Sequence, residues 1–206
     1  MASIFEFTIW LNFRLCGIFI VGLPFTLLFW SINKRNKAIE KLLSNYWKIS
    51  ILYFISLMLF IGKQELSLLV LNLSMILMTI TAWFWSDINA ELREYKIFHP
   101  LTITTKVWRW ALTFITFNLI LQSVLSKYCL LSINNGNCDY WIIPSNNLYN
   151  ILRISFNFLF GANFTEPIAK FIGLFSLFLF ILGLLQWFII QFPRSGRKSD
   201  FSNYEK

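Results

Sequence analysis

Residues 66–126 read LSLLVLNLSMILMTITAWFWSDINAELREYKIFHPLTITTKVWRWALTFITFNLILQSVLS. Two apolar stretches, 66–86 and 107–126, flank a polar and charged connection at 87–106. Their facing borders carry Trp83, Trp85, Trp108 and Trp110, with Asp87 and Arg109 beside them. An apolar run of about 20 residues crosses a bilayer as a helix, and indole rings collect at the headgroup level. The segment therefore reads as two membrane spans whose ends share one interface, joined by a loop in water. That reading decides the fold class: an all-α membrane protein.

Composition agrees. Apolar residues make up 57% of the chain, mean hydropathy is +0.60 and charged residues are 14%, against about 25% in ordinary soluble domains. Five apolar stretches are long enough to be spans, at about 15–32, 46–62, 66–86, 107–126 and 168–192. The expectation is one transmembrane domain over 1–206, with an outer loop at 127–167 and an inner tail at 193–206. A net charge of +8 in such a chain reports retention of Lys and Arg on the cytoplasmic side and attraction to anionic headgroups. No basic run is interleaved with stacking aromatics away from the spans, which argues against nucleic acid as a partner.

Moving outward from the central pair, 15–32 is too long for a secretory signal and lacks a small-residue exit. It reads as a retained span, kinked at Pro24, where neighbouring helices satisfy the freed carbonyl. Residues 33–48 hold Lys34, Arg35, Lys37, Lys41 and Lys48, yet Ile39, Leu42, Leu43, Tyr46 and Trp47 recur at the helical period. Such a segment either lies in the headgroup plane or prolongs spans one and two and packs on its neighbours; the second reading is preferred. The turn Gly62-Lys63-Gln64-Glu65 makes spans two and three a hairpin, and Pro100 ends any helix in the loop before span four. Residues 148–160 are apolar but short, with Asn150, Arg153 and Asn157 on one face; this predicts an interfacial or re-entrant helix in the outer loop.

Charge sets the orientation. With the N-terminus outside, the inner segments 33–48, 87–109 and 193–206 hold thirteen Lys and Arg residues and the outer segments five, as short loops require. Seven of the nine Trp residues fall near the same inner ends. Five spans, N-out and C-in, is the expected topology.

Few residues invite a chemical role. Asn72, Asn118 and Gln122 lie deep in spans three and four, where side-chain amides tie helices together; lining a transport path is the alternative. Cys129 and Cys138 fall outside, across an Asn-Asn-Gly-Asn turn, where an oxidising compartment permits a disulfide. Arg35, Lys41, Arg93 and Arg109, held by Trp85 and Trp108, are the expected contacts to a partner or to lipid headgroups. Asp87, Glu91 and Glu94 share a helical face beside Arg93 and Lys96 and read as ordinary charged surface. His99 has no ligand-spaced companion. No catalytic, metal or cofactor site is expected.

Several blocks carry a resemblance. They are Trp10-Leu11-Asn12-Phe13-Arg14-Leu15, Ala38-Ile39-Glu40-Lys41-Leu42-Leu43 with Tyr46-Trp47-Lys48, Trp83-Phe84-Trp85-Ser86-Asp87-Ile88-Asn89, and Trp108-Arg109-Trp110. Together they resemble a small family of cyanobacterial integral membrane proteins of unknown function, over most of residues 9–192. Where that family carries an acidic residue after the first Trp-Leu, this chain has Asn12. The resemblance implies a thylakoid or plasma-membrane setting and brings no activity. The functional expectation is a non-enzymatic accessory or assembly component of a larger, photosynthetic membrane complex, in contact with anionic lipid and a membrane-protein partner. A small transporter or channel is the rival, and a lipid-directed enzyme at Asp87–Glu94 a third.

Overall fold

The computed structural model describes residues 2–84, 100–126, 129 and 138–201, the side chains of 2–6, 139–140, 187–188 and 190–201 aside. Among the described residues all regular structure is helical. Helix α1 (Ala2–Cys16) passes through a π-helical segment, Gly17–Gly22, directly into α2 (Leu23–Asn33). Then come α3 (Lys37–Ile61), α4 (Ser67–Trp83), α5 (Pro100–Leu125), α6 (Asp139–Phe160) and α7 (Glu166–Phe201), so six rods among the described residues.

Pro24 explains the π-helical segment. The Leu23 N–H donates to the Ile18 carbonyl, five residues back, and Pro24 has no N–H to continue either register. The carbonyls five and four residues before it, Phe19 and Ile20, need other donors. Trp108 Nε1 of α5 donates to Phe19 O at 2.9 Å and Tyr46 Oη of α3 to Ile20 O at 3.1 Å. The neighbouring helices thus supply what proline withholds.

Helix α3 starts where the chain reverses. Arg35 takes φ 53°, and Asn36 Oδ1 accepts from the Ile39 N–H at 3.2 Å as an N-cap. From there Ile39, Leu42, Leu43, Tyr46, Ser50, Tyr53, Leu57 and Phe60 are buried in an unbroken helical period. The basic segment 33–48 does not lie in a headgroup plane. Its apolar stripe is core, and it prolongs the second span from 46–62 back to Lys37.

Helices α3 and α4 form the expected hairpin across Gly62–Leu66, closed by Gly62 N to Met58 O and Gln64 N to Leu59 O, both 3.0 Å. Helix α5 begins at Pro100, seven residues before the expected 107. Proline opens a helix readily, since its missing N–H lies among those the first turn leaves unpaired anyway; whether it ends a helix before it falls on residues outside those described. Helices α4 and α5 run antiparallel, joined by Asn72–Ser123, Thr79–Thr116 and Trp83–Thr113 hydrogen bonds.

Helix α6 starts at Asp139, well before residue 148, and carries Pro144 inside it. Its start is tied to the end of α5, by the Cys129–Cys138 disulfide (Cα–Cα 5.6 Å) and by Trp141 Nε1 donating to Ser126 Oγ at 3.2 Å. Further along, Tyr149 Oη donates to Phe164 O at 3.1 Å, and Phe156 and Phe164 rings meet at 5.5 Å, next to the start of α7. Leu148, Tyr149 and Leu152 pack on Met58 and Ile61 at the end of α3. These ties all lie at one end of the bundle, so α6 runs across that end.

Helix α7 returns antiparallel to α3 on the outside. A Cβ on Gly62 would come within 2.7 Å of Lys170 Cα, and one on Gly173 within 2.9 Å of Leu59 Cδ2. The two glycines let the helices touch backbone to side chain, with Leu177 and Phe180 against Leu52, Ile55 and Leu59 below. An exposed Lys63–Glu166 ion pair at 2.8 Å closes the joint.

Three rods are long and apolar enough to cross a membrane: Phe7–Asn33, Lys37–Ile61 and Glu166–Gln186. Five spans were expected. Helix α4 is apolar but has 17 residues, roughly 25 Å at 1.5 Å per residue, short of a hydrocarbon core of about 30 Å. Helix α5 has the length, with 26 residues, but Arg109, Asn118 and Gln122 lower its apolarity.

Candidate functional site

Two seams of polar side chains run inside the bundle. Asn12 Nδ2 of α1 donates to Gln122 Oε1 of α5 at 2.9 Å, both residues buried. One residue on, about 100° round the helix, Ser123 faces α4, where Asn72 Nδ2 donates to its hydroxyl at 2.9 Å. About two and three turns along, Thr79 and Thr116 hydroxyls meet at 2.9 Å and Trp83 Nε1 donates to Thr113 Oγ1 at 2.9 Å. The 3.6-residue period sends Gln122 and Ser123 to different neighbours.

The three amides singled out by the sequence are therefore not brought together. Asn72 and Gln122 sit in separate seams, and Asn118 is half-buried, its Nδ2 donating to Phe114 O of its own helix at 3.1 Å. Asn12, Thr79, Thr116 and Ser123 were not anticipated as partners. Only their helical phase with Gln122 and Asn72 hints at them, since each pair is remote in sequence.

The expected headgroup or partner contacts divide. Arg35 and Lys41 are exposed at the end of the bundle where α2 turns into α3. Trp108 is fully buried, with its ring edge-to-face on Tyr46 at 5.0 Å, so it is a core residue and not a border anchor. Arg109 is buried too, with its guanidinium carbon 5.8 Å from the Trp83 ring centroid. Exposed Trp110 stands against Trp83 at 5.5 Å. Trp85 and Arg93, along with Asp87, Glu91, Glu94 and His99, lie outside the described residues. Among the described residues, no group of three His, Cys, Asp or Glu side chains is placed to hold a metal ion.

Beside the π-helical segment lies a cleft of about 510 Å³ between α1, α3 and α6, a size typical of small-ligand sites. Its apolar wall is Phe13, Val21, Tyr53, Phe54, Leu57 and Leu148, with Pro144 of α6 at the rim. Arg14, Ser145 and Asn147 add polar atoms, and Gly17 leaves the adjoining stretch of wall without a side chain. The Arg14 guanidinium stacks on the Trp10 ring at 3.6 Å. Segments in which one turn departs from α-geometry are frequent at functional sites. In this cleft a cation, an aromatic shelf and an apolar trough meet.

No curated protein and no solved structure matches the chain. One family does, described as Protein of unknown function (DUF3177), and the match runs over residues 6–200. With nearly the whole chain covered, from the rod that holds Asn12 and Arg14 through α7, the protein belongs to the DUF3177 family.

Proposed function

We propose that the chain is a non-enzymatic, multi-pass membrane protein that serves as an accessory or assembly component of a larger membrane complex. The observation that carries this reading is the pairing of its interior amides and hydroxyls. Asn12 with Gln122, Asn72 with Ser123 and Thr79 with Thr116 bond one another across helices, which is how polar groups fix a bundle in lipid. A transport path needs such groups turned toward a common lumen, and Gln122 and Ser123 face different neighbours. What the protein offers to others is on its exterior: Arg35 and Lys41 at one end and the apolar flank of α7.

Five crossings, N-out and C-in, complete the proposal. Helices α4 and α5 lie beside rods that have spanning length and are bonded to them or to each other along their sides, so they share the same depth. The Cys129–Cys138 bridge then falls on the outer side, where an oxidising compartment sustains it, while Lys34, Arg35, Lys37 and Lys41 fall inside.

The test is quantitative mass spectrometry of affinity-tagged protein, gently solubilised from its native membranes. A stoichiometric membrane-protein companion is expected; protein that runs alone at monomer size defeats the accessory reading. Single cysteines at Lys37 and Glu65 should label from opposite sides, Lys37 from within.

A further inference from the structure

We infer that the cleft between α1, α3 and α6 is a binding site for one anionic membrane lipid, with its phosphate at Arg14 and part of an acyl chain along the trough. The inference presupposes the bilayer setting proposed above and goes beyond it by naming a ligand held within the protein. Charge is the first argument. Among the described residues the only ion pair is Lys63–Glu166, so Arg14 has no carboxylate beside it. Its guanidinium is instead held flat on Trp10 at 3.6 Å, which orients a planar donor fork suited to phosphate oxygens. Ser145 and Asn147 stand on the facing wall as further polar groups.

Shape is the second argument. Phe13, Val21, Tyr53, Phe54, Leu57 and Leu148 line the remainder, a surface that water serves poorly and hydrocarbon serves well. A volume of about 510 Å³ takes a headgroup and part of one chain, with the rest of the lipid left in the bilayer. A Cβ at Gly17 would meet nothing within 4 Å, so the glycine is not needed for close helix packing. Its lack of a side chain instead keeps this margin of the cleft open. The site also lies at the end of the bundle where α6 runs across, the level at which a headgroup resides.

The experiment is native mass spectrometry of detergent-purified protein with three probes: phosphatidylglycerol, phosphatidylcholine with the same chains, and inorganic phosphate. The expected result is one retained phosphatidylglycerol per chain, bound at least tenfold more tightly than phosphatidylcholine and not displaced by millimolar phosphate. Arg14→Gln should reduce phosphatidylglycerol to the phosphatidylcholine level. Gly17→Leu should abolish retention of both, and Asn147→Phe, on the exposed facing wall, repeats that test should Gly17→Leu fail to fold. Arg153→Gln removes an exposed cation outside the cleft and should change nothing.

Equal binding of the two lipids by the unaltered protein overturns the inference. So does retention that survives both cleft-filling variants, or displacement by phosphate alone. The bilayer setting is checked separately by whether alkaline carbonate, in place of detergent, releases the protein from membranes.

Discussion

Tyr46 and Trp108 meet edge to face with ring centroids 5.0 Å apart, and each gives its one polar hydrogen to a neighbouring carbonyl of the Gly17–Gly22 segment. Three rods are locked at one point, because these carbonyls are the two that Pro24 leaves without a backbone donor. Both aromatic residues are buried to the last atom, and their donors stand in for the N–H that Pro24 lacks.

Trp108→Phe keeps most of the ring and removes the donor to Phe19 O. A buried acceptor left unmet costs about 1–3 kcal/mol, and thermal unfolding in detergent should show that loss. Pro24→Ala restores a backbone N–H, so in the Pro24→Ala background the penalty of Trp108→Phe should shrink. An equal penalty in both backgrounds would disprove the link between proline and indole.

The Asn12–Gln122 pair gives a double-mutant cycle. Asn12→Leu and Gln122→Leu should each destabilise by about 1–2 kcal/mol, as each strands an amide in an apolar interior. The double variant should recover a large part of that loss. Asn118→Leu, at a half-buried residue bonded to its own helix, should stay within about 0.5 kcal/mol of the parent protein.

Gly62→Ala should disturb the α3–α7 joint more than Gly183→Ala. The first places a methyl 2.7 Å from Lys170 Cα, the second meets nothing within 4 Å. Overpacking of that kind costs about 1–3 kcal/mol. Protease cleavage within 161–165, between α6 and α7, should quicken in Gly62→Ala alone.

Removing the disulfide by Cys129→Ser with Cys138→Ser should cost about 2–3 kcal/mol, the loop-closure entropy for the short separation of nine residues. Thermal unfolding checks the size. Alkylation before and after reduction, followed by intact mass, checks that the bridge exists in protein from native membranes.

The sequence made some of this legible and concealed the rest for definite reasons. The period of Ile39, Leu42, Leu43 and Tyr46 stays in phase with Ser50, Tyr53 and Leu57, so α3 was readable as one helix. The basic residues at 33–48 left a headgroup-plane helix open as an alternative, but Lys37, Lys41 and Lys48 simply occupy the exposed face of α3. Pro100 was read as a stop because its position within a helix depends on where the helix starts, which composition does not tell. The same ambiguity hid the first turns of α6 around Pro144. Trp108 sits next to Arg109 and near Trp110, a border signature in one dimension, yet only Trp110 faces outward. Gln122 was found as a buried amide, but its partner lies 110 residues away, and helical phase alone does not choose between Asn12 and any other small polar residue. The donor switch before Pro24 was anticipated as a need; that Tyr46 and Trp108 meet it required coordinates.

Among the described residues, the largest apolar core reaches no further along the chain than Leu148. During synthesis, therefore, its packing is complete before the last helix has left the ribosome. The smaller clusters around Leu59 and Ile61 are what await that helix. A chain interrupted after Gly161 would keep that first core and lose the two clusters that Phe164, Ala169, Leu177 and Phe180 complete.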